Sequence, residues 1–598
     1  MKFKYILFAA AVSLMATSCN EDSFLDNQPQ GSLSDEVIKN DNKVDLLTNA
    51  AYSALMGPNP QDWSVWTCPV TNWSYGSVRS DDAYKGGGGT GDLADIHRME
   101  IMDVDATNGN GDSKWYHLYT SVQRCNSALR MLESMSDAQL KDRKVQIEEM
   151  KVLRGHFYFE LSRLFNRIPY FEENYEGKIS DLSNVEFTRD QILEKIAATM
   201  EEAANVLPES QSEIGRINKY IATAYAAKVN LYRAYKQDET THKVISIDQN
   251  LLQKVVSECD VLINSGKYGL LDNFQDLDKV STGDNSKEGV FQVQYSMNDG
   301  SASAGRINWS NLLNAPQGPY SGDGFFLPSQ DLIDAYQTDE NGLPLFDTYY
   351  KKHFDVWNAE ENKCDNTTAN VDPRVDFIVG RPGVTWKTYG ETPYKNTWVR
   401  DQATYGQHSC KRFFVSPESN EMFNGWPWGA SALNWNIIRY SDILLWKAEA
   451  LIEMNQNLDE ARQLINEVRG RAAHKQYWVK DFNDDTKFAA NYKIALYPQA
   501  GWTQDYARKA LRYESRLETA MEGERFFDLV RWGIAAETMN AYFAHEKGSR
   551  TYYNNAKFTE GKDEYLPISI TQYNLSNGAY TQNPGYASFK PNFRNTII

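Results

Sequence analysis

Aromatic and acidic side chains in loop-like segments are the residues of this sequence best suited to bind a ligand. Trp73, Tyr75, Asp81 and Tyr84 lie in one stretch without helical periodicity. A sugar ring has an apolar face of C–H groups and a rim of hydroxyls, so it fits flat aromatic side chains that stand beside carboxylate, amide or guanidinium groups. We therefore predict a carbohydrate site built from loops. The predicted ligand-binding residues are Trp73, Tyr75, Asp81, Asp82, Tyr84, Trp309, Tyr320, Arg412 and Trp428.

A packing role is the alternative for these side chains. Long loops form small cores of their own, and aromatic side chains fill such cores well, so this alternative is favoured for any single tryptophan. Asp81 and Asp82 are neighbours in the chain and point in different directions, so they do not suit a catalytic carboxylate pair. Either aspartate could instead cap or hold a loop, which we weigh equally with ligand binding. For the whole set, ligand binding is favoured.

Enzyme and metal-site templates are missing from the sequence. It contains no G-x-S-x-G, H-E-x-x-H or G-x-x-x-x-G-K-[ST] pattern. The oxygen ligands of DVDATNGNGDSKW, which are Asp103, Asp105, Asn108 and Asp112, miss the spacing of an EF-hand. We predict no enzyme activity, no cofactor and no metal; a calcium site assembled from loops is the alternative left open.

Helical patterns dominate the segments that must position the loops. Leu153, Phe157, Leu161 and Leu164 repeat at helical spacing. Thr188 starts a capping-box signature, T-x-x-Q, ahead of another amphipathic run. The segment RINKYIATAYAAKVNLYRA indicates a third helix with small residues on one side.

A helical hairpin is indicated late in the chain. NIIRYSDILLWKAEALIEM and NLDEARQLINEVRGRA are amphipathic and are separated by a short Asn turn, with alanines where the helices would touch. This pattern resembles a tetratricopeptide-type (TPR-like) hairpin. Residues 57–115 and 280–435 are instead rich in Gly, Pro, Asn, Trp and Tyr. We predict a mainly α fold in which TPR-like hairpins form a scaffold for a long loop-rich, ligand-binding part.

The first residues predict a lipoprotein signal peptide. Lys2 and Lys4 precede an apolar run, residues 5–15. This run is too short to span a bilayer. ATSC resembles a lipobox with Ala16 in place of the usual leucine, so Cys19 is the predicted lipidation site. An ordinary signal peptide with an incidental cysteine is the alternative. The predicted parts are residues 1–18 (signal peptide), 19–40 (lipidated tether), 41–279 (N-terminal helical part) and 280–598 (C-terminal part with the loop-rich insertion and TPR-like helices).

The net charge limits the classes of binding partner that we predict, and the cysteine content limits the number of disulfides. The chain has 62 Lys+Arg against 80 Asp+Glu, a net charge of −18. Such a surface repels nucleic-acid backbones and anionic membranes, so we predict no nucleic-acid partner and membrane contact through the lipid anchor only. The five cysteines besides Cys19 are scattered, and none forms a C-x-x-C pair. They predict buried thiols, with one disulfide left open.

Several segments, in chain order, resemble the SusD/RagB family of nutrient-binding outer-membrane lipoproteins. They are SCNEDSFLD, WSYGSVRSDDAYKGG, EMKVLRGHFYFELSRLFNRIPY, GDGFFLPSQDLIDAYQTDENG, IIRYSDILLWKAEALIEM, ALRYESRLETAMEGERFFDLVRWG and YLPISITQYNLSNGAYTQNPGY. The resemblance implies a SusD-like fold, anchored by lipid to the outer membrane and facing the cell exterior. It also implies a lid on a SusC-like TonB-dependent transporter that takes up oligosaccharides or polysaccharides. In this family the ligand contacts come from variable loops, so no motif assigns the binding residues.

The GERFFDLVRWG segment is predicted to have a structural role and not a catalytic one. Phe526, Leu529 and Val530 lie on one helical face, and Arg525, Asp528 and Arg531 are spaced for intrahelical pairs.

Three other functions remain open beside a glycan-binding lid. They are a peptide-binding lid of the same transporter type, a surface glycoside hydrolase or lyase, and a TPR-like assembly scaffold without a small ligand.

Overall fold

The computed structural model describes residues 41–58, 65–300, 306–358, 360, 363–365, 368–387, 389–390 and 392–589. The predicted signal peptide, the lipidation site Cys19 and the tether lie outside the described residues.

The α-helices are α1 (Asp41–Ser53), α2 (Ala94–Glu100), α3 (Gly109–Glu133), α4 (Arg143–Phe165), α5 (Arg189–Val206), α6 (Lys219–Ala234), α7 (Gln249–Asn264), α8 (Val280–Gly283), α9 (Gln330–Ala335), α10 (Arg374–Ile378), α11 (Gln402–Tyr405), α12 (Tyr440–Glu453), α13 (Leu458–Ala472), α14 (Gln504–Glu518), α15 (Arg525–Arg531), α16 (Ala535–Glu546) and α17 (Ile570–Leu575). The strands are β1 (Ala83–Gly86), β2 (Tyr235–Gln237), β3 (Val244–Ile247), β4 (Gly289–Val293), β5 (Phe325–Pro328), β6 (Val356–Asn358), β7 (Lys363–Asp365), β8 (Asn370–Val371), β9 (Val379–Gly380), β10 (Ser409–Cys410), β11 (Trp435–Arg439) and β12 (Asn491–Tyr492).

The long helices form a continuous array, which confirms the prediction of a mainly helical fold. Helices α3, α4, α5, α6 and α7 pack each against the next, and the array continues through α12, α13 and α14. The predicted capping box begins α5: Thr188 Oγ1 accepts from the Gln191 N–H at 3.3 Å, and the Gln191 side chain accepts from the Thr188 N–H at 2.9 Å. Leu153 and Leu161 of α4 are fully buried, and each such side chain contributes about 1.5–3 kcal/mol.

The late hairpin forms as the sequence indicates. Helices α12 and α13 pack together, and Ala448 and Ala461, one on each helix, are fully buried. Asn455 and Asn457 take left-handed backbone conformations in the turn, with φ of 52° and 46°. Asparagine tolerates this region better than most residues, so the turn chemistry matches the sequence signal.

A large insertion interrupts the array between two neighbouring helices. Helix α7 packs on α12, although residues 265–439 separate them in the chain. Strands β4 and β11 pair antiparallel where the insertion leaves the scaffold and returns to it, with Val293 opposite Trp435. One hydrophobic core runs from Val44 to Tyr580 through both predicted parts of the chain. The predicted division at residues 279 and 280 stays a prediction.

The C-terminal stretch folds back on the N-terminal half. The Asn583 side chain donates to the Phe165 carbonyl oxygen at 2.7 Å, at the end of α4. The Arg79 guanidinium donates to the Asp563 carbonyl oxygen at 2.8 Å. These contacts join parts of the chain that lie more than 400 residues apart in sequence.

All five cysteines of the described residues are buried and none is in a disulfide, as predicted for structural thiols. Within the same part of the chain, no helix has both the length and the apolar character that a bilayer span requires.

Candidate ligand-binding surface

Two of the predicted ligand residues lie on a single π-helical turn, Trp73–Ser77, and face the core. Trp73 is 1 % exposed and packs against Phe326 with ring centroids 5.6 Å apart. The Tyr75 hydroxyl donates to the Thr67 carbonyl oxygen at 2.5 Å. Burial raises the pKa of Tyr75 well above its ordinary value. Both rings therefore belong to the internal packing of this loop.

Asp81 and Asp82 hold the same loop against the late helices. Asp81 accepts from Arg525 Nε and Nη2 at 2.8 and 2.9 Å, and the Asp82 carboxylate accepts from Arg516 Nε at 2.9 Å. Burial disfavours the charge on Asp81, but Arg516 and Arg525 outweigh burial and lower its pKa. Burial, with Asp81 adjacent, raises the pKa of Asp82 to about 6. The loop-holding alternative accounts for both aspartates.

Arg525 thereby departs from the sequence expectation. It was predicted to pair within its own helix, but its guanidinium reaches Asp81 instead. Only the Asp528–Arg531 pair forms inside α15, at 2.8 Å.

Tyr84 and Tyr320 also have internal partners. The Tyr84 hydroxyl donates to Glu546 at 2.5 Å, and the Tyr320 hydroxyl donates to the Val415 carbonyl oxygen at 2.7 Å. Tyr320 lies in a small core of the insertion, built on Ala315, Trp386, Tyr394, Trp398 and Phe414. This is the packing role that aromatic residues of long loops can take.

Arg412 belongs to a buried ion network. Its Nη1 lies 2.9 Å from Glu522, which also pairs with Arg439 at 2.9 Å. Arg439 continues the network to Glu288 at 2.8 Å and to Glu518 at 3.0 Å. The network joins the insertion to the end of α14, and the Arg412 guanidinium is engaged there by protein carboxylates.

The insertion and Trp66 of the N-terminal part together form an aromatic surface, which we define as Trp66, Trp309, Phe423, Trp426 and Trp428. Trp309 packs edge-on against Trp426, with centroids 5.1 Å apart and planes at 68°. Trp426 and Trp428 are 45 % and 41 % exposed, whereas Trp309 is 7 % exposed. Trp66 and Phe423 pack, partly buried, on the small cluster that contains Trp309. Of the nine predicted residues, the structure brings Trp309 and Trp428 to this surface.

A short closed loop presents the two exposed indoles. The Phe423 N–H donates to the Ala430 carbonyl oxygen at 2.8 Å, which closes residues 423–430. The Asn308 N–H donates to the Ser431 carbonyl oxygen at 3.0 Å and so ties this loop to the Trp309 segment. The exposed Asn424 amide lies in the same loop. Flat indole faces and a side-chain amide are groups that can contact a sugar ring.

Trp66, Phe423 and Trp426 were missed by sequence reasoning. The segment NGWPWG carried a usable signal, because glycines and a proline around two tryptophans indicate a tight surface turn. No sequence signal near Trp66 distinguishes it from the buried Trp73. The cluster on which Trp66 packs comes mainly from residues 307–312 and 430, which are distant in the chain.

A cavity of about 250 Å³ lies between the scaffold helices and the α15 region. Four of its charged residues pair with one another: Glu524 lies 2.7 Å from Arg163 and 3.4 Å from Lys228, and Arg163 also pairs with Glu160 at 2.7 Å. The wall includes Cys68, Val70, Thr71 and Asn72. The segment that follows Trp66 therefore forms part of the cavity wall.

The oxygen ligands considered for calcium have protein partners. Asp105 pairs with Arg98 at 2.7 Å, and the Asn108 side chain caps α3 at the Gly111 N–H. Asp112 accepts from the Gln572 side chain at 2.9 Å.

Two family models match the chain. Residues 287–586 match a model described as "SusD family", and residues 23–231 match a model described as "Starch-binding associating with outer membrane".

Curated relatives and solved structures agree with these matches. "SusD-like protein P2" of Formosa agariphila is 23% identical over 83% of this chain and 86% of its own length. A "SusD-like protein" of Bacteroides ovatus is 23% identical over 98% of this chain and 92% of its own. The crystal structure of a SusD superfamily protein from Bacteroides vulgatus superimposes with a TM-score of 0.66 at 19% identity, over 92% of this chain and 99% of that chain. "Surface glycan-binding protein A from Bacteroides thetaiotaomicron in complex with laminarihexaose" gives 0.60 at 22% identity, over 91% and 99%. At such identities the structural likeness establishes the fold.

Proposed function

The chain belongs to the SusD family, and from this we propose that it is a surface-exposed, non-catalytic lipoprotein that captures oligosaccharides and passes them to a SusC-like TonB-dependent transporter. The family description of starch binding in association with the outer membrane supports the glycan and the location. Neighbours named for laminarin and laminarihexaose support a glucan as the first ligand class to test.

The aromatic surface is the observation that carries this proposal. Two half-exposed indoles, Trp426 and Trp428, share one closed loop, and Trp426 rests against Trp309. Soluble proteins rarely expose neighbouring large apolar side chains without a function, so two adjacent exposed tryptophans support an interaction site. The exposed rings of Trp426 and Trp428 would stack on the apolar faces of sugar units, while Asn424 would bind hydroxyls at the rim. The binding residues we propose are therefore Trp66, Trp309, Phe423, Trp426 and Trp428.

Glycan hydrolysis is disfavoured by the composition of this surface. A glycosidase needs two carboxyl groups beside the scissile bond. The loop that carries the exposed indoles, residues 423–430, contains no Asp or Glu. The predicted acidic residues Asp81 and Asp82 are engaged by Arg525 and Arg516.

Calorimetric titration of the full-length chain in detergent, followed by chromatography of the sugar, tests the proposal. The ligands are β-1,3-gluco-oligosaccharides, malto-oligosaccharides and a mixed peptide pool. The double variant Trp426→Ala/Trp428→Ala is expected to weaken glycan binding roughly tenfold or more, because each stacked ring contributes about 0.5–1.5 kcal/mol. Tyr175→Ala is the matched control, because Tyr175 is also 41 % exposed but lies outside the surface.

Four other results of this titration would each contradict one part of the proposal. Equal losses in the double variant and in Tyr175→Ala would remove the aromatic surface as the site. Shortened sugars would make the protein an enzyme, and binding of peptides alone would make it a peptide-binding lid. Binding of neither ligand class would favour an assembly scaffold.

The anchor is tested separately at Cys19. Cys19→Ala is expected to move the chain from the membrane fraction to the soluble fraction and to abolish labelling by palmitate, because stable anchoring requires acyl chains. Protease added to intact cells is expected to cut the wild-type chain. Full protection of a membrane-bound chain would contradict the outward orientation.

A further inference from the structure

Three side chains with different metal-binding atoms meet inside the insertion. A carboxylate oxygen of Asp355, the Cys364 sulfur and a ring nitrogen of His408 all lie within 4.8 Å of one another. All three residues are buried, at 0 %, 7 % and 6 % exposure. Asp355 precedes β6, Cys364 lies in β7 and His408 precedes β10, so the group joins the β6–β7 hairpin to a separate strand. From this cluster we propose that the chain binds one divalent transition metal, of the zinc class, through Asp355, Cys364 and His408.

The donor set points to this class of metal rather than to calcium or magnesium. Thiolate, imidazole and carboxylate together are typical zinc ligands, at about 2.0–2.3 Å from the ion. Hard cations such as calcium and magnesium prefer oxygen ligands throughout. Atoms within 4.8 Å of one another can surround one ion at such distances, and three protein ligands leave a fourth position for water.

The surrounding hydrogen bonds orient the carboxylate for this role. Asp355 Oδ1 accepts from Arg381 Nη1 at 2.5 Å, whereas Oδ2 is 2.8 Å from His408 Nε2. Oδ2 and the imidazole nitrogen are therefore adjacent in a hydrogen bond, which bonds from both atoms to one ion would replace. A ligating carboxylate whose second oxygen is held by a fixed donor is a common feature of metal sites.

The charges around the cluster also balance once a divalent ion is added. Arg381 is held by Asp376 through two hydrogen bonds of 2.8 Å, in addition to its bond to Asp355. Two carboxylates, one guanidinium and a Cys364 thiolate leave two negative charges, which one divalent cation neutralises. On binding, the thiol proton is released to solvent, the neutral imidazole donates its Nε2 lone pair, and no redox step is involved.

Cobalt substitution tests the site on the full-length chain. After removal of metal, Co²⁺ is expected to give the near-ultraviolet charge-transfer band of a cobalt–thiolate bond and the visible bands of a four-coordinate ion. Zn²⁺ should abolish both at one equivalent per chain and raise the unfolding midpoint by a few degrees. The Cys364→Ser variant should lose the charge-transfer band and the stabilisation by Zn²⁺.

Cys410→Ser is the matched control. Cys410 is also buried, two residues from His408, and does not belong to the cluster. Its variant should keep the full cobalt spectrum. Absence of a charge-transfer band in the wild-type chain, or persistence of the band in Cys364→Ser, would overturn the proposal. If Cys364→Ser fails to fold, His408→Gln replaces it; an unchanged cobalt affinity in that variant would likewise overturn the site.

Discussion

Replacing Asp81 by asparagine tests whether this residue holds the loop or binds the ligand. Asp81 pairs with Arg525 through both carboxylate oxygens and lies 3.3 Å from Arg516 Nη2. Arg516 keeps Asp82 and Asp331 as partners, both at 2.9 Å. Among the ion pairs of the described residues, Arg525 has Asp81 alone, and its side chain is 11 % exposed. Asp81→Asn therefore leaves one nearly buried guanidinium without a counter-charge.

The structure sets the size of the effect. Removing one partner of a buried ion pair costs about 3–5 kcal/mol. The lower end applies here, because Arg525 keeps some solvent contact and asparagine still accepts one hydrogen bond. With an unfolding entropy of about 2.1 cal/mol/K per residue, a loss of about 3 kcal/mol in a chain of this size lowers Tm by roughly 2–3 °C.

The pH dependence gives a second readout. The pKa of Asp81 in the folded state lies below its ordinary value. The stabilisation is therefore present above the unfolded-state pKa of about 3.9 and is lost as pH falls through the folded-state pKa. The Tm difference between wild type and Asp81→Asn should be constant between about pH 7 and pH 8, above the pKa of Asp82, and should shrink below about pH 4.

Scanning calorimetry measures Tm, and titration with the best glycan measures affinity on the same samples. Asp81→Asn should keep its glycan affinity within about twofold. Asp484→Asn, which removes an exposed pair with Lys487, is the control and should leave Tm unchanged. An unchanged Tm together with lost glycan binding in Asp81→Asn would refute the loop-holding role and restore Asp81 as a ligand residue.

Three further perturbations follow from the packing and charges. Gly76→Ala should prevent native folding, because a Cβ at residue 76 would lie 1.7 Å from the Gly523 carbonyl oxygen. Circular dichroism and gel filtration measure this. Gly91→Ala is the control and should fold normally, because the space around Gly91 is open. Burial raises the pKa of Glu258 to about 8, so its contribution to stability is full below about pH 4.3 and is lost by about pH 8. Glu258→Gln should therefore flatten this decline in Tm and be the more stable chain above about pH 8, and a steeper decline would contradict the assignment. Ala448→Leu should destabilise the protein by about 1–3 kcal/mol in chemical unfolding, because Ala448 is fully buried and a larger side chain would overpack its site.

The helical scaffold could be predicted because its signals are local. The Thr188 cap, the periodicity of α4 and the asparagine turn after α12 each depend on residues within a few positions, and each is confirmed. The pairing of α7 with α12 across the insertion could not be predicted, because periodicity shows which face is apolar but not which helix covers it.

The candidate site was predictable in kind but not in position. Composition indicated that aromatic side chains of loops are important, yet Trp73 and Tyr320 fill cores while Trp426 and Trp428 are exposed. The difference depends on partners distant in the chain, such as Phe326 for Trp73. Asp81 likewise gives no local sign that its counter-charge is Arg525, 444 residues away.

The return of the C-terminal stretch to the N-terminal half constrains the order in which the chain can fold. A chain synthesised from its N-terminus can assemble α3 to α7 early, because these contacts are between neighbours in sequence. Arg79 must wait for Asp563, a separation of 484 residues, and the end of α4 must wait for Asn583. Closing these long loops costs conformational entropy before the new contacts form. The loop that contains Arg79 is therefore completed last. Until then the apolar residues of this loop are exposed to solvent and can make wrong contacts. We expect a chain that ends before α16 to have an assembled helical array but an incompletely packed loop.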